Sequence, residues 1–324
     1  MRMKPLPLLL VLLGCGADSK SSPLDGGWLD QRATPDARPD GIGALGDGPT
    51  DSDAAAADAT AAIACPGAKP NQTNTGVPSG THLTVVASDV TVTDDNTVID
   101  AQDIQGFLTI KASHVKVTRS IVRGRGTSAT TAILRIDSGT DIVVEDVEVA
   151  GAQPSVDLDG LWGSNFVGRR LNVHGGVDGM KLGDNSRVEC SYIHDLVSFA
   201  SDPNQGGGPT HNDAIQILAG TGITLVGNTL VAAKDQNAAI QLTQDFGAVS
   251  NVHIEHNWGD GGGCTFNFSH KGGASLGDLH TLGNRFGRNS YYGCPILKST
   301  MTTLDSQGDV WDDDGTPVSI QTHD

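Results

Sequence analysis

From about residue 82 onward, the chain repeats short apolar runs in which every second residue is polar, and Gly, Asn and Asp separate one run from the next. Alternation of period two is typical of β-strands, and clusters of Gly, Asn and Asp mark the turns between them. The sequence shows no convincing amphipathic helix. It therefore predicts an all-β fold made of many short strands.

Equivalent strand positions recur at spacings of a few tens of residues. Such spacings suit a fold in which each turn of the chain, called a rung here, repeats the same set of strands. The spacings are 28 residues from Ile133 to Leu161, 19 to Met180, 35 to Ile215 and 25 to Ile240. The longest spacing predicts an inserted loop around residues 197–210. Self-similarity at roughly 20–30 residues is typical of a solenoid, in which each rung buries its apolar face only against its neighbours.

Four stretches carry a more specific resemblance: Thr97-Val98-Ile99-Asp100, Ser120-Ile121-Val122-Arg123-Gly124, Thr210-His211-Asn212-Asp213-Ala214-Ile215-Gln216 and Asn284-Arg285-Phe286-Gly287-Arg288. They resemble right-handed parallel β-helix proteins of the pectate-lyase-like superfamily, and the resemblance covers roughly residues 80–324. It implies a single-stranded right-handed parallel β-helix as the domain at residues 65–324. It does not specify a reaction.

Aligning the starts of equivalent strands gives two columns of polar residues. The first column is Asp159, Asp178 and Asp213, and the second is Trp162, Lys181, Gln216 and Gln241. The apolar residues between the columns point inward, so the second column should face outward. Neighbouring rungs of a parallel solenoid lie about 4.8 Å apart. Both columns should therefore share one side of one sheet, under the inserted loop that ends at His211.

Three carboxylates on consecutive rungs suit glycoside hydrolysis. Like charges about 5 Å apart raise the pKa of at least one carboxyl, which can then serve as an acid beside a base. The segment Asn212-Asp213-Ala214-Ile215 is loosely similar to the Asn-Thr-Asp-Gly strand of the polygalacturonase family. The chain has no counterpart of that family's Asp-Asp pair or Arg-Ile-Lys motif.

The same face also suits a polysaccharide lyase. Lys181 or His211 can act as the base that removes a uronate proton, which makes the candidate catalytic set Asp178, Lys181, His211 and Asp213. Asp159, Asp178 and Asp213 could hold Ca²⁺, which prefers carboxylate and carbonyl oxygens. Trp162 could stack on a sugar ring, and Gln216 and Gln241 could bind the polysaccharide substrate.

A structural interpretation competes with both reactions. Asp and Asn in the turns of a solenoid often cap backbone groups at strand starts, and Asp-Gly is common in turns. The alternative to an enzyme is therefore a non-catalytic glycan-binding or structural cell-surface protein. The column Asn228, Asn257 and Asn284 is interpreted as structural, as an inward-facing turn ladder.

Residues 1–14 are predicted to be a secretory signal. Arg2 and Lys4 precede an apolar run at residues 6–13 that is too short to span a bilayer. Leu12-Leu13-Gly14-Cys15 resembles the lipobox of bacterial lipoproteins, which implies cleavage before Cys15 and a diacylglycerol on its thiol. The alternative is an ordinary signal peptide with a chance Cys. Gly16 and Ala17 resemble the outer-membrane class, so an exported, lipid-anchored protein at the outer membrane or cell surface is expected.

Residues 15–64 are predicted to be a disordered linker rich in Ala, Asp, Gly and Pro. Nine Asp against three basic residues give residues 16–64 a net charge of −6. Such a segment cannot bury enough apolar surface to offset its ordering entropy. The linker can serve as a spacer between a membrane and the domain, or it can be a tail without a role.

The cysteines predict at least one disulfide. Apart from Cys15, four remain in a chain that is expected to be exported: Cys65, Cys190, Cys264 and Cys294. Cys264 and Cys294 are 30 residues apart, about one rung with its loop, and are predicted to pair. Cys190 is interpreted as a buried thiol, although pairing with Cys65 stays open.

Charge excludes one class of partner and weakens another. The chain has 21 Lys and Arg against 38 Asp and Glu, a formal net charge of −17. Nucleic-acid affinity depends on Lys and Arg that neutralise phosphates, so no nucleic-acid partner is expected. Residues 65–324 hold 16 basic and 29 acidic residues, or −13. An acidic groove repels a polyuronate unless Ca²⁺ or local Lys and Arg intervene. The lipobox disfavours a tailspike-like trimer, so a monomer is expected.

Overall fold

Strands that repeat every rung dominate the fold. The computed structural model describes residue 65 and residues 69–234, 236–270 and 276–323, and these residues contain 29 strands and one short 3₁₀ helix, Pro203–Gln205. Residues 1–64, with the predicted signal, Cys15 and linker, lie outside the described residues. Among the described residues, no helix is long and apolar enough to cross a bilayer.

The strands are, in chain order, β1 (Thr84–Val86), β2 (Val90–Val92), β3 (Val98–Asp100), β4 (Gln102–Ile104), β5 (Leu108–Lys111), β6 (Lys116–Thr118), β7 (Ile121–Val122), β8 (Thr131–Ser138), β9 (Ile142–Glu145), β10 (Glu148–Ala150), β11 (Leu158–Gly163), β12 (Phe166–Arg169), β13 (Asn172–His174), β14 (Met180–Leu182), β15 (Arg187–Glu189), β16 (Tyr192–His194), β17 (Asp213–Ile217), β18 (Gly220–Val226), β19 (Thr229–Val231), β20 (Ala238–Leu242), β21 (Val249–Glu255), β22 (Trp258–Asp260), β23 (Cys264–Phe268), β24 (Gly277–Leu282), β25 (Arg285–Phe286), β26 (Cys294–Ser299), β27 (Asp305–Gln307), β28 (Val310–Trp311) and β29 (Ile320–His323).

Every third strand joins the same sheet, which makes the fold a parallel β-helix. Sheet 1 runs from β1 through β4 and β7 to β28, sheet 2 from β2 through β5 and β8 to β29, and sheet 3 from β3 through β6 to β27. The first two sheets have ten strands each and the third has nine. Because all pairs between successive rungs are parallel, the predicted all-β parallel β-helix is confirmed.

Residues with positive φ turn the chain at two of the three corners of each rung. Asn165 (φ 56°) and Asn185 (φ 52°) lead from sheet 2 into sheet 3, and Gly227 (φ 66°) and Gly283 (φ 62°) lead from sheet 3 into sheet 1. Gly and Asn adopt this conformation more readily than other residues. Only part of the recurring Gly and Asn is explained in this way, because Ala101, Arg119 and Arg170 adopt positive φ at the same corner between sheets 3 and 1.

Inward-facing Val, Ile and Leu from all three sheets form one continuous core. At the corner between sheets 3 and 1, Asn228, Asn257 and Asn284 are fully buried one above another. The backbone N–H of Asn228 donates to Asn257 Oδ1, and that of Asn257 donates to Asn284 Oδ1, each at 2.9 Å. This column is a structural ladder, as the sequence interpretation has it.

Two disulfides join the rungs. Cys264 and Cys294, the predicted pair, start neighbouring strands of sheet 2 and are bonded, with Cα atoms 4.7 Å apart. The interpretation of Cys190 as a buried thiol is wrong, because Cys190 is bonded to Cys65 with a Cα separation of 5.4 Å. The sequence could not show this pairing, since 125 residues separate the two cysteines.

One of the predicted spacings is off by one residue. Leu161 pairs with Leu134 rather than Ile133, whereas the registers from Leu161 to Met180, Ile215 and Ile240 are as predicted. Ile133 and Leu134 are both completely buried. Alternation therefore breaks at this point of β8, and the sequence pattern alone could not choose between the two residues.

Candidate functional site

The candidate site lies where the chain passes from sheet 1 into sheet 2. The β11–β14–β17 register aligns Asp159, Asp178 and Asp213 on three consecutive rungs. Gly follows the first two aspartates, and a Cβ on Gly179 would overlap Ile193 Cγ2 and the carbonyl oxygen of Ala214. The Asp-Gly pairs are thus required by the close approach of neighbouring rungs.

Lys181 joins two of the three carboxylates. Its ammonium nitrogen Nζ lies 2.8 Å from Asp159 Oδ2 and 3.3 Å from Asp178 Oδ2. The Lys181 side chain is 26% exposed, and both carboxylates are almost completely buried. Of these three side chains, that of Lys181 is the most exposed.

Each of the first two aspartates also caps the backbone of the next rung. The N–H of Asp178 donates to Asp159 Oδ1 at 3.0 Å, and the N–H of Asp213 donates to Asp178 Oδ1 at 2.8 Å. One oxygen of each carboxylate therefore has the structural role that the alternative interpretation predicts. The other oxygen of each faces Lys181.

Asp213 has different partners from the other two aspartates. Asn237 Nδ2 donates to Asp213 Oδ1 at 2.9 Å and to Oδ2 at 3.2 Å, and Gln216 Nε2 donates to Oδ2 at 3.2 Å. Asp213 is fully buried. Both of these donors are neutral amides, which stabilise an ionised carboxylate less than a cation does.

The cluster retains a proton near neutral pH. Burial raises the pKa of Asp178 to about 7. The positive charge of Lys181 lowers this pKa, and the negative charge of Asp159 raises it, but both effects are smaller than that of burial. Burial and then the charge of Asp178 raise the pKa of Asp213 well above its usual value. Burial would lower the pKa of Lys181, but the charges of Asp159 and Asp178 outweigh it and raise that pKa.

Trp162 is not placed to stack on a sugar. Its Nε1 donates to Asp159 Oδ2 at 2.8 Å. The Arg135 guanidinium carbon lies 5.8 Å from the ring centroid on the preceding rung, and Lys181 Nζ lies 5.3 Å from it on the following rung. Because the two cations flank the ring, we assign Trp162 to positioning Asp159 and Lys181 rather than to substrate stacking.

The inserted loop and the register of the glutamine column are as the sequence predicts, but Gln241 does not face solvent. Gln216 and Gln241 follow Trp162 and Lys181 in register on sheet 2, and Gln241 is buried. The loop between β16 and β17 contains the 3₁₀ helix, and Asn204 Nδ2 donates to Asp157 Oδ1 at 3.0 Å. His211 is exposed at the end of this loop.

The calcium site predicted at Asp159, Asp178 and Asp213 does not fit the geometry. Throughout residues 65, 69–234, 236–270 and 276–323, no three or more His, Cys, Asp or Glu side chains are arranged to hold a metal ion. Lys181 Nζ occupies the position between Asp159 and Asp178 where a cation would bind. No calcium chemistry is derived from this site.

Two further residues of the cluster, Asn237 and Arg135, do not stand out in the sequence. Asn237 directly precedes β20 and contacts both oxygens of Asp213, and Arg135 flanks Trp162. Extending the rung alignment by one residue would have found Asn237, because Asp213 pairs with Ala238. Arg135 was obscured by the one-residue error in the register of β8.

Comparisons with known proteins do not identify a family for this chain. No family model matches the chain, and no curated protein matches it. Among solved structures, the chain is similar to the crystal structure of the Dettilon tailspike protein (gp208), with 16% sequence identity and a TM-score of 0.47. The match covers 71% of this chain and 54% of that chain, so this chain spans about half the length of that structure.

Proposed function

We propose that this protein is a polysaccharide-active surface protein that hydrolyses glycosidic bonds at the Asp178–Asp213 step of the solenoid. The proposal rests on the buried carboxyls of Asp178 and Asp213, which lie on neighbouring rungs and whose pKa values are both raised by burial. The two differ in their surroundings, because the Lys181 ammonium contacts Asp178 but not Asp213. Glycoside hydrolysis needs one protonated and one ionised carboxyl side by side.

The surroundings of the two aspartates assign their roles. Asp213, whose pKa is raised by burial and by the charge of Asp178, is the acid that protonates the leaving glycosidic oxygen, which requires its buried carboxyl to become exposed when the glycan binds. Asp178, whose pKa of about 7 lets it lose its proton at and above neutral pH beside the Lys181 ammonium, attacks the anomeric carbon. Water then cleaves the glycosyl–Asp178 bond, and Asp213 accepts the proton of that water. Asp159 positions Lys181.

Lys181 does not fit the role of the base in a lyase. A base has to be neutral near the working pH, and the charges of Asp159 and Asp178 hold Lys181 as an ammonium. Elimination is then left with His211 as its base, whereas hydrolysis uses the carboxyl pair that the structure brings together.

The backbones of neighbouring rungs lie about 4.8 Å apart, and we take this spacing as the expected separation of carboxyls in register. This separation suits retaining hydrolysis, which uses carboxyls about 5–5.5 Å apart, rather than inversion. The proposal therefore includes retention of anomeric configuration.

The test incubates the mature full-length chain with a panel of neutral and acidic polysaccharides. Released reducing ends report hydrolysis, ultraviolet absorbance of unsaturated uronates reports elimination, and proton NMR reports the anomer formed first. We expect reducing ends without unsaturated product, the retained anomer, and at least about a thousandfold loss of rate in Asp178→Asn and Asp213→Asn.

Asp184→Asn is the matched control, because Asp184 also caps a neighbouring rung by accepting the N–H of Thr221 at 2.8 Å, yet it is exposed. It should retain the rate of the unmodified chain. Unsaturated products, or equal rates in all three variants, would contradict the proposal.

A second candidate is a glycan-binding protein without catalysis. Two observations favour it: Asp178 accepts the backbone N–H of Asp213, and Asp213 is completely buried. Both give the aspartates a structural role rather than a catalytic one. Glycan binding by the unmodified chain with no product from any polysaccharide in the panel would support this candidate over hydrolysis.

Lipid anchoring through Cys15 and export to the cell surface remain proposals. They are supported by the lipobox-like residues and by the disulfides, which persist in oxidising compartments. Cys15→Ser should move the protein from the detergent phase to the aqueous phase after expression in a Gram-negative host. Aqueous partitioning of the unmodified protein would contradict the anchor.

A further inference from the structure

Two neighbouring tyrosines are presented to solvent at the same corner as the candidate site. Tyr291 and Tyr292 are 61% and 59% exposed and precede β26. Their ring centroids are 4.8 Å apart at an interplanar angle of 84°. Exposed aromatic rings are costly to leave in water, so a rigid exposed pair indicates a binding surface.

The tyrosines are held in place by their backbone. The N–H of Tyr291 donates to the Gly262 carbonyl at 2.7 Å, and that of Tyr292 donates to the Gly263 carbonyl at 3.1 Å. The loop is closed by the Cys264–Cys294 disulfide. A ligand that packs on these rings pays little ordering entropy for the loop.

The tyrosine pair is continuous with the proposed catalytic pair. The ring of Tyr292 approaches Gly263, where an added Cβ would lie 3.6 Å from Tyr292 Cε2. The Gly263 N–H donates to the Asn237 carbonyl at 2.9 Å, and the Asn237 side chain contacts Asp213. Gly263 lies two rungs beyond Asp213, or about 10 Å, which is the length of about two sugar units.

The face between the two sites is neutral. The polar column on β17, β20 and β23 consists of Gln216 and Asn267, which are partly exposed, and Gln241, which is buried between them. Apart from Asp213, these three strands contain no charged residue. A polyuronate has one carboxylate per sugar and would find no row of cations here.

We infer that Tyr291 and Tyr292 form a distal sugar-binding platform for a neutral, extended glycan that runs along sheet 2 from Asp213 toward β26. This inference rests on the proposed function for the placement of the reacting end of the glycan. The amides of Gln216 and Asn267 hydrogen-bond hydroxyl groups, and the tyrosine rings pack against the C–H faces of the sugar.

The test measures binding to the mature chain carrying Asp213→Asn, so that no ligand is consumed. The probes are cello-, xylo-, manno- and laminarihexaose and hexameric oligogalacturonate, titrated in a calorimeter. At least one neutral hexasaccharide should bind, and adding Tyr291→Ala with Tyr292→Ala should weaken its binding about tenfold or more. The matched control is Phe246→Ala, an exposed aromatic at another corner, which should leave affinity unchanged.

The outcomes separate this inference from the proposed function. Glycan binding that depends on the tyrosines supports the platform even if the unmodified chain releases no reducing ends. Hydrolysis of a polysaccharide with affinity unchanged in the double tyrosine variant overturns the platform alone. Binding of oligogalacturonate more tightly than every neutral probe, or binding of none of the neutral probes, also overturns it.

Discussion

Asp178 accepts the backbone N–H of Asp213 from the next rung at 2.8 Å. The same carboxylate turns its second oxygen to Lys181 at 3.3 Å. One side chain thus joins two rungs and places a buried acidic group beside another. A change at this position alters both fold stability and chemistry, so the two effects have to be measured separately.

Replacing Lys181 with Met should destabilise the fold. The substitution keeps the packing of the chain stem but leaves the carboxylates of Asp159 and Asp178 buried without a cation. Removing one partner of a buried ion pair costs on the order of 3–5 kcal/mol. Urea unfolding followed by circular dichroism measures the loss.

Lys111→Met is the control for this prediction. Lys111 lies 3.8 Å from Asp137, its side chain is half exposed, and exposed pairs contribute about 0–1 kcal/mol. Equal losses from Lys111→Met and Lys181→Met would contradict the account of the cluster.

Stability should fall as the pH rises from about 4 to about 7. In this range the folded chain keeps a proton on Asp178, whose pKa burial raises to about 7, while the unfolded chain has released it. Folding then takes up a proton, so a higher pH opposes folding, and the stabilisation present at low pH is lost as the pH passes the folded pKa. Asp178→Asn should flatten this part of the profile in urea titrations at a series of pH values. A free energy of unfolding that rises across this range would contradict the prediction.

Much of the fold could be predicted because the apolar residues that face the core recur at the same position of each rung. Leu161, Met180, Ile215 and Ile240 each occupy the inward position of sheet 2, and the spacing between them gives the rungs. The register failed at β8, where Ile133 and Leu134 are both buried. A period-two pattern carries no information at such a break.

The candidate site could be predicted only in part. The aspartate column follows from the register, since any two residues in register on parallel rungs are neighbours. The direction of each side chain does not follow from it. Trp162 lies between Arg135 and Lys181, and Lys181 bonds the aspartates rather than remaining available as a base. These contacts depend on side-chain conformations, which the sequence pattern does not encode.

Asn257→Ala should be strongly destabilising. Asn257 Nδ2 donates to the Leu225 carbonyl and its Oδ1 accepts the N–H of Asn228, both at 2.9 Å, in a fully buried corner. The substitution leaves both backbone groups unpaired, at a cost on the order of 2–4 kcal/mol. Asn204→Ala, in an exposed loop, should cost less than about 0.5 kcal/mol. Comparable urea midpoints for the two variants would contradict this prediction.

Loss of the Cys65–Cys190 disulfide should cost more than loss of the Cys264–Cys294 disulfide. The first spans 125 residues and the second spans 30, so the chain-entropy estimates are about 5 and about 3.5 kcal/mol. Paired Cys→Ser variants at each site, unfolded in urea, measure the two losses. The reverse order would contradict a mainly entropic role for these bonds.

Carbon-13 NMR titration of the aspartate carboxyl carbons tests most directly whether the cluster holds an acid that is protonated near neutral pH. The account predicts a carboxyl signal from Asp178 or Asp213 that titrates near pH 7 and whose titration changes in Asp178→Asn. Titration of every aspartate carboxyl below about pH 5 would contradict it, since each would then be close to its ordinary pKa.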